Sequence, residues 1–262
     1  AKAELHIENL SGAMLSVAGP VSQDGFSVVL TNSGHLFLVE ELEEALGCQV
    51  WFENDFVALA HGLECFVELL QLGGDSKSGA VSAVLGPGSG LGMATILREE
   101  NCLRVLASEG GHADFAPGSH LESEIWSVLA MDSKYVSWET VLSGNGLVRL
   151  YQAMSQVWGS KCSNYKAEDI TRLGVSLDDP ICHQTLETFY GILGSAAGNF
   201  ALTVGALGGV YLAGSIVPAT SDFAVKSPLR RRFEEKEALD QLLRKVPIFI
   251  IRDSSPGLIL SL

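Results

Sequence analysis

Ala80-Val81-Ser82-Ala83-Val84-Leu85 runs into Gly86-Pro87-Gly88-Ser89-Gly90-Leu91-Gly92, and Met93-Ala94-Thr95-Ile96-Leu97 runs out of it. Two apolar runs of strand length on either side of a glycine-rich segment read as two buried strands joined by a turn at Gly86 to Gly92. Arg98-Glu99-Glu100-Asn101 is the next turn, and Cys102 to Ala107 is a third strand. Helical patterns follow at about Leu121–Ala130, Ser137–Val141, Gly146–Val157, Lys166–Leu173 and Ile181–Ala206. Two further apolar runs, Val210–Ala213 and Pro247–Ile251, flank the charged helical stretch Pro228–Lys245. A meander of three strands, then strands brought in by helices, specifies a mixed sheet with helices on its faces.

Upstream, Gly12–Ala18 and Phe26–Leu30 read as strands, and Val39–Leu46 as a helix stopped by Gly47. Val50-Trp51-Phe52 reads as a strand that enters Asn54-Asp55-Phe56 and a helix to about Leu70. The stretch Gly73 to Gly79 is the best linker. The expected organisation is therefore α/β in two domains, 1–78 and 79–262.

The 262 residues carry 17 basic and 31 acidic side chains, a net charge of −14. That balance excludes nucleic acid or an anionic membrane as the main partner, because phosphate neutralisation needs clustered Lys and Arg. A local nucleotide site built from backbone N–H groups is still compatible with it. The residues from Thr188 to Ser221 include no charged side chain, which is long enough to span a bilayer. Seven glycines, Asn199 and Pro218 interrupt that run, so it reads as a buried helix, a turn and a buried strand, with no membrane span. Five cysteines without CxxC or Cys/His spacing give no disulfide framework and no structural zinc, and read as free, mostly buried thiols in a reducing compartment. Ala1-Lys2-Ala3-Glu4-Leu5 has no apolar leader and no initiator Met. The expected location is the cytoplasm, or an organelle interior if a targeting segment has been removed.

Four glycines among seven residues allow a backbone to approach an anion and to aim N–H groups at it, and Ser89 adds a hydroxyl. The dinucleotide fingerprint fails, since its third glycine falls at Leu91, and the P-loop fails for want of a Gly-Lys-Ser/Thr. An empty hairpin is the alternative. Asn54-Asp55 at a strand's carboxyl end stands where α/β sheets bind ligands, and equally where a helix is capped. Glu109-Gly110-Gly111-His112 brings an acid and an imidazole to one surface, with Asp114 and His120 nearby. It reads as a binding turn or as turn polarity, and the spacing is no zinc signature. Glu139 heads a helix, where an acid also complements the dipole. Arg230-Arg231-Arg232 reads as a solvated helix face paired with Glu234 and Glu235.

Taken in order, Ala18-Gly19-Pro20-Val21, Leu30-Thr31-Asn32, Asn54-Asp55-Phe56, Gly86–Gly92, Glu109 to Pro117, Val136 to Gly144, Gly198-Asn199, Gly208 to Pro218, Arg230 to Lys236 and Pro256-Gly257-Leu258 are similar to the bacterial-type glucokinase family. The resemblance implies an actin/hexokinase-like (ribonuclease H-like) fold and ATP-dependent phosphorylation of glucose on its 6-hydroxyl, with Mg²⁺. It implies that Asp55 is the general base and that Asn54, Glu109, His112 and Glu139 hold the sugar. It assigns the nucleotide to Gly86, Gly88, Ser89, Gly90 and Gly92, and the adenosine to Gly208, Gly209 and Gly214. The Asp that the family places near magnesium belongs to its opening Asp-x-Gly-Gly-Thr hairpin, so no metal ligand is assigned among these residues. A homodimer, or docking into a larger assembly, is left open.

The sequence departs from the family pattern in places. The opening Asp-x-Gly-Gly-Thr hairpin has no counterpart in residues 1–18, so the N-terminal domain is expected to be incomplete. Ser143-Gly144-Asn145-Gly146 replaces Ser-Gly-Pro-Gly, Gly214-Ser215 replaces a double glycine, and Leu260 a glycine. The alternative function is a catalytically inactive, glucokinase-derived sugar-binding or structural subunit.

Overall fold

Gly47 stops the first helix by turning left-handed (φ 68°) and returning its N–H to Glu43 O, as a helix-ending glycine does. The computed structural model describes residues 10–17, 19, 21–30, 33–65, 68–75, 77, 79–99 and 102–252. They fall into two compact units that part between residues 65 and 66. In the first unit the order is β1 (Gly12–Val17), β2 (Ser27–Val29), β3 (Leu36–Leu38), α1 (Val39–Leu46), β4 (Gln49–Asn54) and α2 (Asp55–His61). β1 pairs with β4 in parallel, Gly12 opposite Gln49 and Val17 opposite Asn54. β2 and β3 form an antiparallel ribbon. The helix expected to reach Leu70 ends at His61, followed by a 3-10 turn, Gly62–Cys65.

The second unit continues with β5 (Leu69–Leu72), β6 (Ser82–Pro87), β7 (Leu91–Glu99) and β8 (Cys102–Ser108). Then come α3 (His120–Asp132), α4 (Trp138–Val141), α5 (Gly144–Val157), α6 (Ala167–Ser176), α7 (Pro180–Val204) and β9 (Gly209–Leu212). The described chain closes with α8 (Ile216–Ala219), α9 (Ser221–Lys226), α10 (Leu229–Glu234), α11 (Asp240–Leu243) and β10 (Ile248–Ile251). One six-stranded sheet runs β5-β10-β9-β6-β7-β8. β6, β7 and β8 are the antiparallel meander read from the sequence, while β9 joins β6, and β10 joins β9, in parallel. β5 adds antiparallel to β10, so residues 69–72, upstream of the glycine-rich linker stretch, belong to the large sheet. The Pro256-Gly257-Leu258 motif lies outside the described residues.

Every residue of β6 is buried, which is why its sequence is an unbroken apolar run without alternation. The charge-free stretch begins inside α7, a 25-residue helix buried along most of its length, and continues through β9 and α8. Asp179 caps it by accepting from Ile181 N at 2.8 Å and Cys182 N at 3.0 Å, Pro180 opens it, and Gly205 (φ 68°) ends it. Its glycines are a packing groove. A Cβ on Gly194 would stand 2.2 Å from Leu229 O, and one on Gly198 2.6 Å from Phe233 O, so α10 lies directly against this face. Among the described residues no helix is long and apolar enough to cross a membrane. Cys48 is half-buried, Cys162 exposed and Cys182 buried, so of the three cysteines whose side chains are described only one is a core residue, and burial pushes its thiol up to about 12.

The three arginines of α10 are not one solvated face. Only Arg231 is, paired with Glu235 at 2.8 Å. Arg230 donates to Leu72 O at 3.1 Å, Val246 O at 2.6 Å, Leu243 O at 3.2 Å and Arg244 O at 2.9 Å, and also reaches Glu234 at 2.7 Å. Arg232 forks onto both oxygens of Glu122, at 2.8 and 3.2 Å, and donates to Ser195 Oγ. Glu122 also accepts from Gly118 N at 2.6 Å. The partners lie 37 and 110 residues away in sequence, so spacing within α10 does not reveal them. Removing one member of a buried pair strands the other charge and costs about 3–5 kcal/mol, whereas an exposed pair contributes about 0–1 kcal/mol. Arg232→Met is therefore expected to lower the urea midpoint of the second unit strongly, Arg231→Met hardly at all, and the double change Arg232→Met with Glu122→Leu to recover much of the loss.

Candidate functional site

Pro87 has no N–H to give, and it is the last residue of β6. The turn is shorter than the sequence suggests: Gly86 and Pro87 still pair with Gly92 and Leu91, leaving Gly88-Ser89-Gly90 as the tip. Gly88 N closes it onto Gly90 O at 2.8 Å. Leu91 N–H leaves the ladder and donates to Glu139 Oε2 at 2.8 Å. Gly144 N donates to Gly88 O, also at 2.8 Å. Among the described residues, the N–H groups of Ser89 and Gly90 and the Ser89 hydroxyl have no protein partner, so they are the donors the tip can offer an anion.

The corner between α4 and α5 holds this tip. Ser137 caps α4 in a reciprocal pair with Thr140: Thr140 N donates to Ser137 Oγ at 3.2 Å, and Ser137 N to Thr140 Oγ1 at 3.0 Å. Ser143 caps α5 by accepting from Gly146 N at 2.9 Å, and its hydroxyl donates to Glu139 O at 3.0 Å. Glu139 is thus fixed by its own backbone and aims its carboxylate across at the hairpin, instead of serving merely as an acid in a first helical turn.

Glu109 and His112 sit on either side of the 3-10 turn Gly110–His112, which His112 N closes onto Glu109 O at 2.9 Å. The following segment docks on the start of α4: Phe115 N donates to Val136 O at 2.9 Å, Trp138 N to Ala113 O at 3.0 Å, and the rings of Phe115 and Trp138 stand 5.3 Å apart. That docking brings His112 Nε2 to 4.0 Å from Glu139 Oε1, with the side chains 49% and 30% exposed. Both line an open cavity of about 700 Å³ whose walls include Ser137, Asp132, Arg149 and Gln152, within the usual size range for small-molecule sites. Glu109 is exposed beside it on the same turn.

Asn54 and Asp55 belong to the first unit, at the carboxyl end of β4. Asn54 Oδ1 caps α2, accepting from Phe56 N at 2.9 Å and Val57 N at 3.2 Å. Its amide nitrogen has no partner among the described residues, so capping leaves a donor for a ligand. Asp55 Oδ1 accepts from Phe56 N at 3.0 Å, and the residue is half-buried.

The glycines assigned to adenosine are separated by the structure. Gly214 (φ 83°) lies at the carboxyl end of β9, and a Cβ there would stand 2.3 Å from Pro87 O, so Gly214-Ser215 borders the hairpin. Gly208 and Gly209 lie at the opposite end. Gly209 pairs with Ser82, the first residue of β6, and Gly208 N donates to Val81 O at 2.8 Å. Their small size admits Ser82 and the Phe249 ring, a packing role far from the tip. Sequence reasoning missed Gly144 as a hairpin anchor and Ser143 as the residue that holds the Glu139 backbone; the signal was their Ser-Gly resemblance next to Glu139. Among the described residues, no group of three His, Cys, Asp or Glu is arranged to hold a metal ion, and His120 pairs at the surface with Glu124 at 3.5 Å.

Comparison with known proteins gives this geometry a lineage. The family model described as Glucokinase matches residues 1–260. A glucokinase of Chromobacterium violaceum is 38% identical over 260 residues, covering 98% of this chain and 74% of that protein. The crystal structure of a glucokinase from an Antarctic psychrotroph superposes with a TM-score of 0.81 at 34% identity, over 94% of this chain and 77% of that one. A ROK family glucokinase from Streptomyces griseus, solved with glucose and AMPPNP, shares the fold with a TM-score of 0.64 at 19% identity, over 93% of this chain and 78% of that one. A mixed sheet of this order, a glycine tip gripped by an acid that also meets a histidine, and a match along nearly the whole length have one reading: the chain belongs to the glucokinase family.

Proposed function

We infer that the chain transfers the γ-phosphoryl group of ATP to the 6-hydroxyl of glucose. The observation that carries this is the Glu139 carboxylate, which meets His112 on one side and the glycine tip on the other. A polar surface suited to hydroxyls and a turn suited to phosphates are thereby adjacent, as phosphoryl transfer between a sugar and a nucleotide requires. The relatives carry the enzyme's name, which favours this reading over a non-catalytic subunit.

In the proposed assignment Asp55 orients the 6-hydroxyl and accepts its proton. The Asn54 amide, Glu109, His112 and Glu139 hold the remaining hydroxyls, and such fixed polar groups reject an isomer that leaves them unpaired. The Ser89 and Gly90 N–H groups and the Ser89 hydroxyl cradle phosphate oxygens, and Gly214 lies beside the adenosine. Gly208 and Gly209 have no place in this nucleotide set. Mg²⁺ takes most of its ligands from phosphates and water, needing only one or two carboxylates, so this donor set suits an ion that arrives on the triphosphate, where it neutralises phosphate charge. The free thiols of Cys48, Cys162 and Cys182 suit a reducing compartment, and we place the protein in the cytoplasm.

Asp55→Asn is expected to lower kcat by about 10²–10⁴, the usual worth of a general base, in a coupled assay, while calorimetry finds glucose affinity within a few-fold of wild type. Unchanged turnover would remove Asp55 from the mechanism. Asn54 separates capping from binding. Asn54→Asp keeps a capping oxygen but loses the amide donor, so stability is held while glucose binding weakens. Asn54→Ala loses both, with about 1 kcal/mol of stability. Equal glucose affinity in the two variants and the wild type would leave Asn54 as a cap only.

A further inference from the structure

We propose that Glu139 is a positioning residue for the phosphate-binding tip as well as a sugar contact, so that glucose and ATP bind with positive coupling through its carboxylate. The proposal rests on the assignment of the sugar to Glu139 and His112 and of the phosphates to the tip. Its own ground is the hydrogen bond from Leu91 N–H to Glu139 Oε2 at 2.8 Å.

A carboxylate only accepts hydrogen bonds, and each of its two oxygens wants donors. Oε2 has Leu91 N–H, the first residue past the tip. Oε1 has the imidazole of His112, at 4.0 Å and longer than a hydrogen bond. The Glu139 side chain is 30% exposed and lines the cavity, and with Oε2 engaged by Leu91 N–H, Oε1 is the oxygen left for a sugar hydroxyl. A hydroxyl on Oε1 fixes the carboxylate's rotation and therefore fixes Oε2 over Leu91 N–H. The tip is held a second time by Gly144 N–H on Gly88 O, which comes from the same corner. Sugar binding thus orders the strand end from which Ser89 and Gly90 N–H groups meet the phosphates. A second ligand that finds the tip already ordered loses less conformational entropy on binding, and by linkage each ligand tightens the other equally.

The contact is possible because residue 90 is glycine. A Cβ at that position would stand 2.5 Å from Glu139 Oε2 and 3.3 Å from its Cδ. Residue 90 does not have a positive φ, so alanine suits its backbone and only the carboxylate is displaced. Gly90→Ala therefore breaks the link while leaving both Glu139 and the tip's N–H groups in the chain.

The test is a binding cycle on the full chain by calorimetry. Glucose and a non-hydrolysable ATP analogue with Mg²⁺ are each titrated alone and in the presence of the other. In the wild type each ligand is expected to tighten the other by at least about fivefold, the low end of usual coupling. In Gly90→Ala the ratio falls to about one, whatever the direct loss of nucleotide affinity, because a direct loss lowers both arms alike. Glu139→Gln, whose amide oxygen can still accept from Leu91 N–H, retains a ratio above that of Gly90→Ala although glucose binds more weakly. A wild-type ratio of one overturns the proposal and leaves the function intact, and needs no variant. A Gly90→Ala ratio equal to the wild-type value overturns it as well. Absence of both glucose and nucleotide binding in the wild type would instead fail the site assignment on which the proposal rests.

Discussion

The register between β6 and β9 is the constraint on which the second unit depends. Ser82 lies opposite Gly209 and Leu85 opposite Leu212, in parallel, so both strands end at the same edge of the sheet. Ala213 N–H on Leu85 O, at 2.8 Å, is the last bond of that ladder. Beyond it the two chains must diverge, one into the glycine tip and the other into Gly214-Ser215. Ligands of open α/β sheets bind where carboxyl strand ends diverge, because loops there can offer backbone donors without disturbing the sheet. A slip of one residue in this pairing would invert the faces of β9 and take Gly214 away from Pro87 O.

Burial of β6 on both faces makes further demands. The helices that cover the sheet must themselves be covered, and α7 is buried enough that it carries no charge along its middle. α10 meets it through the Gly194 and Gly198 groove, so closely that backbone carbonyls occupy the place of side chains. Such an approach brings Arg230 and Arg232 inward. Their planar forks are then satisfied by carbonyl ends and by Glu122, groups that a shorter or single-donor cation would serve less completely. Burial of these two charges in an acidic protein is tolerated because the Arg230 and Arg232 forks meet fixed acceptors as they leave water.

What the sequence made legible follows from how local each signal is. The meander of β6, β7 and β8 and the helix stop at Gly47 are set by neighbours within a few residues, and they stand as read. The helix expected to reach about Leu70 overruns the start of the strand Leu69–Leu72, because that strand's partner, β10, is more than 170 residues away, and three leucines and a glutamine carry no period of their own. The arginines of α10 were read as solvated for the same reason: i,i+4 neighbours are visible in sequence, and Glu122 is not. The polar residues of the site were legible as types, in Asn54-Asp55, Glu109, His112 and Glu139. Gly208 and Gly214, grouped by one glycine pattern, are parted by the length of a strand, about 3.3 Å per residue, since proximity in sequence along an extended chain is distance in space.

The choice of an acid at position 139 has a physical basis beyond sugar recognition. Its surroundings are those of an acceptor: Leu91 N–H donates to one oxygen, and the His112 imidazole stands 4.0 Å from the other. An amide would keep one acceptor and turn its NH₂ group to the other side. A carboxylate presents an acceptor on each side, and a hydrogen bond to an ionised acceptor is about twice as strong as a neutral one. The same negative charge next to a phosphate-binding turn is unfavourable by Coulomb's law. The arrangement limits that cost by holding the carboxylate on Leu91 N–H, while the tip's own donors at Ser89 remain for phosphate. The glycine at 90 is the other half of this balance, because a side chain there would push the carboxylate off its donor and leave its charge facing the tip. Acid and glycine are therefore one device, read in sequence as two separate features 49 residues apart, and only the fold of the hairpin onto the α4–α5 corner makes them a pair.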